Sequence, residues 1–240
     1  MISILIKKQD VFLVMDKIIN FLNQRRMNKV VENHREEIIT KYMHHILEVG
    51  TQPLNIFKFT KENEMQESDF YAHFSSFDEL EKEIFSEFFK QTIGLLEKNE
   101  EYLSFDAQNK LLSFYFTFFE ILTKNRSYVL QAIKNDKFKG LGVTKNLRSH
   151  FKTFIESIDI ETIDIPEKRI NSFKEKGIVE AYWGQFAFII RYWEKDNSPN
   201  FEKTDVLIEK LVTTAFDLQD IKPLESVIDL GKFLLKDLKK

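Results

Sequence analysis

The stretch of sequence that decides the fold runs from residue 36 to residue 81 and reads EEIITKYMHHILEVGTQPLNIFKFTKENEMQESDFYAHFSSFDELE. Its first part carries apolar residues at the spacing of one helix face, namely Ile39, Met43, Ile46 and Leu47. Gly50 follows, and glycine is the residue that most often ends a helix. The pattern therefore predicts a helix over about 36–49.

Two short helices are predicted next. Asn55 can cap a helix over about 56–63, because its side-chain oxygen can accept a free backbone hydrogen bond. A break at 64–66 separates this helix from another over about 67–73. Two short helices joined by a tight turn are typical of a helix-turn-helix unit.

A longer helix is predicted to close this unit. Ser76 and Glu79 have the spacing of a capping box, in which each side chain satisfies a backbone amide of the other. The helix that begins there is expected to continue to about Glu97.

The rest of the chain is predicted to be helical as well. Seven glycines and four prolines among 240 residues are too few for the turns of a β-sandwich, so we expect an all-α fold. The helical patterns cover about 104–123, 127–135, 144–157, 167–175, 177–194, 204–218 and 224–238.

Composition excludes several classes of site. The chain has no cysteine, which excludes disulfides, thiolate metal sites and cysteine nucleophiles. His44 and His45 are adjacent on a helix, so they cannot bind one metal ion together, and we expect no metal or other cofactor. P-loop, GxGxxG and GxSxG motifs are absent, so we expect no enzyme activity.

No apolar stretch is long enough to span a membrane, which favours a cytoplasmic protein.

Residues 1–34 are interpreted as an N-terminal extension. Apolar spacing predicts a short amphipathic helix near 9–24, and the segment carries a net charge of +3. One hypothesis is a basic arm that contacts phosphates or a membrane surface. The preferred interpretation is an extension upstream of a true start at Met27.

The stretch 36–81 resembles, without a gap, the N-terminal domain of TetR-type transcriptional regulators. Residues 70–74, FYAHF, are similar to the LY-x-HF end of the family's recognition helix. Residues 76–80, SFDEL, are similar to the SKEEL opening of its fourth helix. Residues 193–210, WEKDNSPNFEKTDVLIEK, resemble more loosely the join between the last two large helices of the family's C-terminal domain.

The resemblance implies an all-α homodimer with a helix-turn-helix DNA-binding domain at 35–80 and a helical regulatory domain at 81–240. It also implies that the protein is a repressor that binds palindromic double-stranded DNA. A small apolar ligand is expected to release it from that DNA. Dimerisation is expected through 177–194 and 204–218, because both segments look too apolar to be solvated. Candidate pocket residues are aromatic, although they can equally fill the core: Phe114, Phe118, Phe151, Phe154, Tyr182 and Phe186.

The same resemblance assigns the DNA-contacting positions. They are Tyr71, His73 and Ser68, together with Glu67, Asp69 and Ala72 at the positions facing bases. Two departures from the family stand out, since Phe77 replaces the lysine of SKEEL and Glu64 replaces a glycine of the turn.

The charge of the 35–80 region is also unusual for a DNA-binding domain. It contains four basic and nine acidic residues, a net charge of −5, whereas DNA-binding modules carry a basic face. The alternative hypothesis is therefore a degenerate TetR-fold protein that has lost DNA binding and acts as a protein-interaction module for a basic partner.

Overall fold

A computed structural model of the chain describes residues 34–135, 145–160 and 168–219, and all regular structure in these ranges is helical. The expected helices at 9–24 and 224–238 lie outside the described residues. The chain divides between Leu80 and Glu81 into an N-terminal and a C-terminal unit. Among the described residues, no helix is both long and apolar enough to cross a bilayer.

The helices are α1 at 34–49, α2 Ile56–Glu62, α3 Glu67–Tyr71, α4 Phe77–Leu96, α5 Glu100–Leu103, α6 Ala107–Lys124, α7 Arg126–Asn135, α8 Lys145–Ser157, α9 Lys168–Lys195 and α10 Glu202–Gln219. A 3₁₀ turn, Pro199–Phe201, precedes α10.

The predicted helix ends in the N-terminal unit are confirmed. Gly50 has a φ of 81°, and its N–H closes the last turn of α1. The Asn55 side chain accepts from the N–H of Lys58 at 2.8 Å and so caps α2. Ser76 Oγ accepts from the N–H of Glu79 at 3.2 Å at the start of α4. Local hydrogen bonds of this kind need only neighbouring residues, which is why the sequence predicts them.

One prediction in the C-terminal unit is wrong. Separate helices at 167–175 and 177–194 were expected, but α9 is continuous from Lys168 to Lys195. Gly177 lies inside it without a left-handed φ. A glycine inside a helix costs about 1 kcal/mol, which packing along the rest of α9 readily offsets.

The core of the C-terminal unit lies between α6, α8, α9 and α10. Helix α10 packs on α6 and α9, while α8 packs on α9. Five large apolar side chains of α9 are buried in this core: Tyr182, Phe186, Ile189, Ile190 and Trp193. Ile208 and Val212 of α10 are buried as well. The core of one subunit therefore covers seven apolar residues of α9 and α10, while Phe188, Val206 and Leu218 of these helices remain exposed.

A chain of two hydrogen bonds connects three of these helices. The hydroxyl of Tyr115 in α6 donates to Oε1 of Gln185 in α9 at 3.0 Å. Nε2 of Gln185 donates in turn to the carbonyl of Leu211 in α10 at 3.1 Å. Desolvation raises the pKa of Tyr115 well above its usual value, so this hydroxyl keeps its proton and remains a donor.

Arg126 holds the turn between α9 and α10. Its guanidinium donates to the carbonyls of Trp193, Glu194 and Asp196 at 3.0, 3.1 and 3.2 Å. The same group lies 4.4 Å from the ring centroids of Trp193 and Phe201. A cation at the carboxyl end of a helix satisfies free carbonyls and opposes the negative end of the helix dipole.

Asp196 holds the other side of this turn. One carboxylate oxygen accepts from the N–H and hydroxyl of Ser198 at 2.8 and 2.7 Å. The other accepts from the N–H and hydroxyl of Thr204 at 2.9 and 2.6 Å. Burial alone would raise the pKa of Asp196, but the hydrogen bonds from Thr204 and Ser198 lower it to about 2. Asp196 is therefore an ionised cap for the start of α10.

Candidate nucleic-acid interface

The turn between α2 and α3 is built by backbone hydrogen bonds around one left-handed residue. Asn63 ends α2, and Glu64 follows with a φ of 57°. The N–H of Met65 then donates back to the carbonyl of Thr60 at 2.9 Å. Glycine adopts such a φ without strain, whereas glutamate does not. Glu64, which stands where the family has a glycine, therefore occupies the left-handed position of the turn.

One side of helix α3 is buried, and the other side is exposed to solvent. Phe70 is fully buried, and its ring lies 6.2 Å from that of Phe59 in α2. Ser68, Tyr71 and Ala72 are exposed, with 55% of Tyr71 accessible. Residues three and four apart share one helix face, so these three side chains form a single exposed surface.

The carboxylate of Asp69 has a structural partner. Its Oδ2 accepts from the N–H of Gln66 at 2.9 Å, at the beginning of α3. Asp69 and Glu67 are both half-buried, whereas Ser68 between them is exposed. One of the two acidic residues assigned to base contacts therefore caps its own helix.

A polar groove of about 240 Å³ lies beside this turn, within the N-terminal unit. Its lining combines residues of α1 with residues of the turn and of α3: His34, Glu37, Ile38, Lys41, Asn63, Glu64, Met65 and Asp69. Lys41 donates to the carbonyl of Asn63 at 2.8 Å and pairs with Glu37 at 2.7 Å. Glu64 and Asp69 therefore line the same groove as a lysine.

Phe77 belongs to the core beneath α3. It is 8% exposed, and its ring stacks on Tyr42 at 5.4 Å. It also meets the rings of Phe59 and Phe70 edge-on at 5.5 and 5.4 Å. The residue that replaces the family's lysine is thus part of an aromatic cluster that holds α1, α2 and α3 together.

His73 is half-buried at the end of the α3 segment. Desolvation lowers its pKa, and the positive charge of Arg35 and the proximity of His34 lower it further, while Asp69 acts in the opposite direction. The imidazole is therefore neutral at pH 7 and can donate one hydrogen bond, but it brings no positive charge to the surface.

Two exposed apolar residues near the start of α2 were not identified from the sequence. Leu54 is 81% exposed and Phe57 is 59% exposed. The Nζ atom of Lys61 lies 5.9 Å from the centroid of the Phe57 ring. The available signal was periodicity, because the buried Phe59 lies two residues after Phe57 and hence on nearly the opposite side of α2.

The six aromatic residues assigned to a ligand pocket lie together in the C-terminal unit. All are buried, and Phe114, Phe118, Phe151 and Phe186 have no exposed surface. The rings of Phe114 and Phe154 are 4.5 Å apart, as are those of Phe151 and Phe186. Tyr182 pairs with Phe216 of α10 at 6.3 Å. These rings pack directly on one another.

No metal site is formed by the described residues, since they contain no group of three histidine or acidic side chains that could hold an ion. The two adjacent histidines differ in environment, with His44 exposed and His45 half-buried against Phe59.

Comparison with known families finds a match in the C-terminal part of the chain. Residues 110–234 match the family model described as "Tetracyclin repressor-like, C-terminal domain". This match covers more than half of the chain and extends from α6 through α10. The comparison with curated proteins finds no match.

Proposed function

Because the chain belongs to the TetR family of regulators, we propose that it is a transcriptional repressor that binds palindromic double-stranded DNA as a homodimer. The observation that carries DNA binding is the open face of α3, where Ser68, Tyr71 and Ala72 are exposed above the buried Phe70. A short helix that follows a tight turn and presents one face in this way is suited to the major groove.

The arrangement of charges is compatible with this proposal. Glu64 and Asp69 line the groove that also contains Lys41, and Asp69 caps α3. The Asp69 carboxylate is thereby engaged at the start of α3 and not at the Ser68–Tyr71–Ala72 face. Lys58 and Lys61 of α2 are exposed and supply positive charge for phosphate contacts. Lys58 is 3.7 Å from Glu62, an exposed pair that phosphate can readily replace.

The test is unbiased selection of duplexes from a random pool with purified protein at two salt concentrations. Enrichment of a two-fold symmetric site is expected. With two lysines in each of two subunits, the affinity should fall with a log–log salt slope of about 3 to 4. Tyr71→Ala should weaken binding, while Leu103→Ala, at a residue 60% exposed in the C-terminal unit, serves as the matched control.

A pool without enrichment would favour the second candidate, a protein-interaction module for a basic partner. The observation behind it is the net charge of −5 over 35–80 together with exposed Leu54 and Phe57. An acidic surface with apolar side chains fits a basic amphipathic partner better than it fits phosphate.

The dimer surface is proposed to be a stripe on α9 and the neighbouring part of α10. Five exposed residues of α9 recur at alternating spacings of four and three: Gly177, Ala181, Gly184, Phe188 and Arg191. Phe188 is 53% exposed, and Val206 of α10 is 48% exposed. This spacing is that of helices that pack side by side, and glycine and alanine permit close approach.

Gly184 offers a specific test of this surface. A Cβ atom at Gly184 would meet nothing within 4 Å in the subunit, and the same is true of Gly94 in α4. Both Gly184→Leu and Gly94→Leu should therefore fold normally, since leucine favours helices. Only Gly184→Leu should convert the dimer to a monomer in light scattering at micromolar concentration. A native protein that is monomeric there would contradict the proposal.

Release by a small apolar ligand is proposed to occur through the aromatic core of the C-terminal unit. The rings of Phe114, Phe151 and Phe186 already touch, so a ligand would have to separate α6, α8 and α9. Such a change would alter the α9 stripe and hence the dimer. The check is whether apolar compounds that raise the melting temperature also release the selected DNA.

A further inference from the structure

We propose that Phe57 reads thymine methyl groups in the major groove, so that A·T pairs contacted through apolar side chains define part of each half-site. This inference rests on the proposed DNA binding and adds a residue and a base preference to it.

Phe57 is exposed where the fold gains nothing from a phenyl ring. Its ring is 59% accessible, whereas Phe59, two residues later, is fully buried. Burying an aromatic side chain stabilises a protein, and an exposed one forgoes that stabilisation. The ring lies on the exposed side of α2, which also carries Lys58 and Lys61.

Lys61 makes the site suitable for DNA. Its Nζ atom is 5.9 Å from the centroid of the Phe57 ring, within the range of a cation–π contact. The contact limits the ring's motion and places a positive charge beside an apolar surface. A surface that contacts a base methyl group next to a phosphate needs both properties.

The neighbouring helix lacks the side chains that read guanine. Neither α3 nor its flanking residues Gln66 and Ala72 include an arginine or a lysine. Of the two carboxylates of α3 that could accept from cytosine, Asp69 caps the helix instead and Glu67 is half-buried. The C5-methyl group of thymine is the apolar group that the major groove presents, and phenylalanine and alanine are among the side chains that contact it. The exposed methyl group of Ala72 therefore agrees in chemistry with Phe57.

The experiment uses the full chain and the DNA site that selection yields. Each thymine in one half-site is replaced singly by deoxyuridine, which removes only the methyl group. At the contacted thymine, the native protein should bind about three- to fivefold more weakly, the worth of one buried methyl group. Phe57→Ala should bind the thymine and uracil duplexes with equal affinity.

Two control variants separate the methyl contact from other effects. Lys58→Ala should weaken binding to both duplexes by the same factor, because a phosphate contact does not sense the methyl group. Phe57→Leu should keep most of the discrimination. Melting temperatures of all three variants should match that of the native protein, since the changes are at exposed positions.

The outcomes are distinct. Enriched sites that show no thymine–uracil difference at any position would overturn this inference and leave DNA binding intact. Equal discrimination by the native protein and Phe57→Ala would also overturn it, because a side chain other than Phe57 would then contact the methyl group. A pool without enrichment would overturn both the inference and the proposed function.

Discussion

The α2–α3 turn and the α9–α10 turn both place residues other than glycine in the left-handed backbone region. Glu64 has a φ of 57° in the first turn, while Asn200 and Phe201 have φ values of 51° and 60° in the second. Each such residue costs on the order of 1–3 kcal/mol, and surrounding contacts must offset that cost.

The two turns use the same kinds of contact to different extents. In the first, Lys41 donates one hydrogen bond to a carbonyl at the end of α2 and Asp69 accepts one. In the second, Arg126 donates three hydrogen bonds between two aromatic rings. Asp196 accepts four.

The difference between the two turns follows from how much of each is exposed to solvent. The two charged groups that hold the α9–α10 turn are shielded from solvent, since Arg126 is half-buried and Asp196 is only 5% exposed. The α2–α3 turn faces solvent and leaves Ser68 and Tyr71 uncovered. A turn that only joins two packed helices can be held by side chains, whereas a turn next to the proposed DNA-binding surface keeps side chains available for the partner.

The largest expected effect is that of Asp196→Ala. The change leaves the hydrogen-bond donors of Ser198 and Thr204 without their acceptor and removes the cap of α10. The free energy of unfolding should fall by about 3 kcal/mol in urea titrations. Asp217→Ala, at an exposed position of the same helix, should change it by less than about 0.5 kcal/mol. Equal effects would mean that the Asp196 contacts do not hold the turn.

Arg126→Ala should lower the free energy of unfolding by about 2–3 kcal/mol, since it removes three hydrogen bonds and two cation–π contacts. Arg126→Lys keeps the charge but cannot reach three carbonyls with a planar group, so it should recover little of the loss. A lysine variant as stable as the native protein would show that charge alone suffices. Thermal unfolding at one protein concentration measures both.

The turn should also make stability depend on pH. The folded protein holds the pKa of Asp196 at about 2, below the ordinary 3.8. A lowered pKa contributes stability that is complete above pH 3.8 and is lost as the pH falls toward 2. The difference in unfolding free energy between the native protein and Asp196→Asn should shrink by about 2 kcal/mol over that window. A constant difference would contradict the ionised cap.

The smallest expected effect has the opposite sign. Glu64→Gly should raise the free energy of unfolding by roughly 0.5–1 kcal/mol, because glycine relieves the left-handed strain despite its larger loss of entropy. Glu62→Gly, two residues earlier within α2, should lower it by a similar amount. If both variants are destabilised, Glu64 is not strained.

Much of the helical framework could be predicted, because its signals are local. Gly50, Asn55 and Ser76 end or begin helices through hydrogen bonds that span three or four residues. Ser68, Tyr71 and Ala72 were assigned from the resemblance to the family, and the structure leaves all three exposed. The hydrogen bond from the N–H of Gln66 to the Asp69 carboxylate was not predicted, because an aspartate at this position of α3 can also contact a base.

The sequence by itself determined the all-α fold, most helix ends and the break at 64–66. Only the tertiary structure decided that Phe77 completes an aromatic core, that α9 continues through Gly177, and that Phe57 stays outside while Phe59 is buried. It also decided that Arg126 meets Asp196, 70 residues away in sequence. Caps and turns depend on neighbours along the chain, whereas burial and distant pairing depend on which helix faces meet when the core forms.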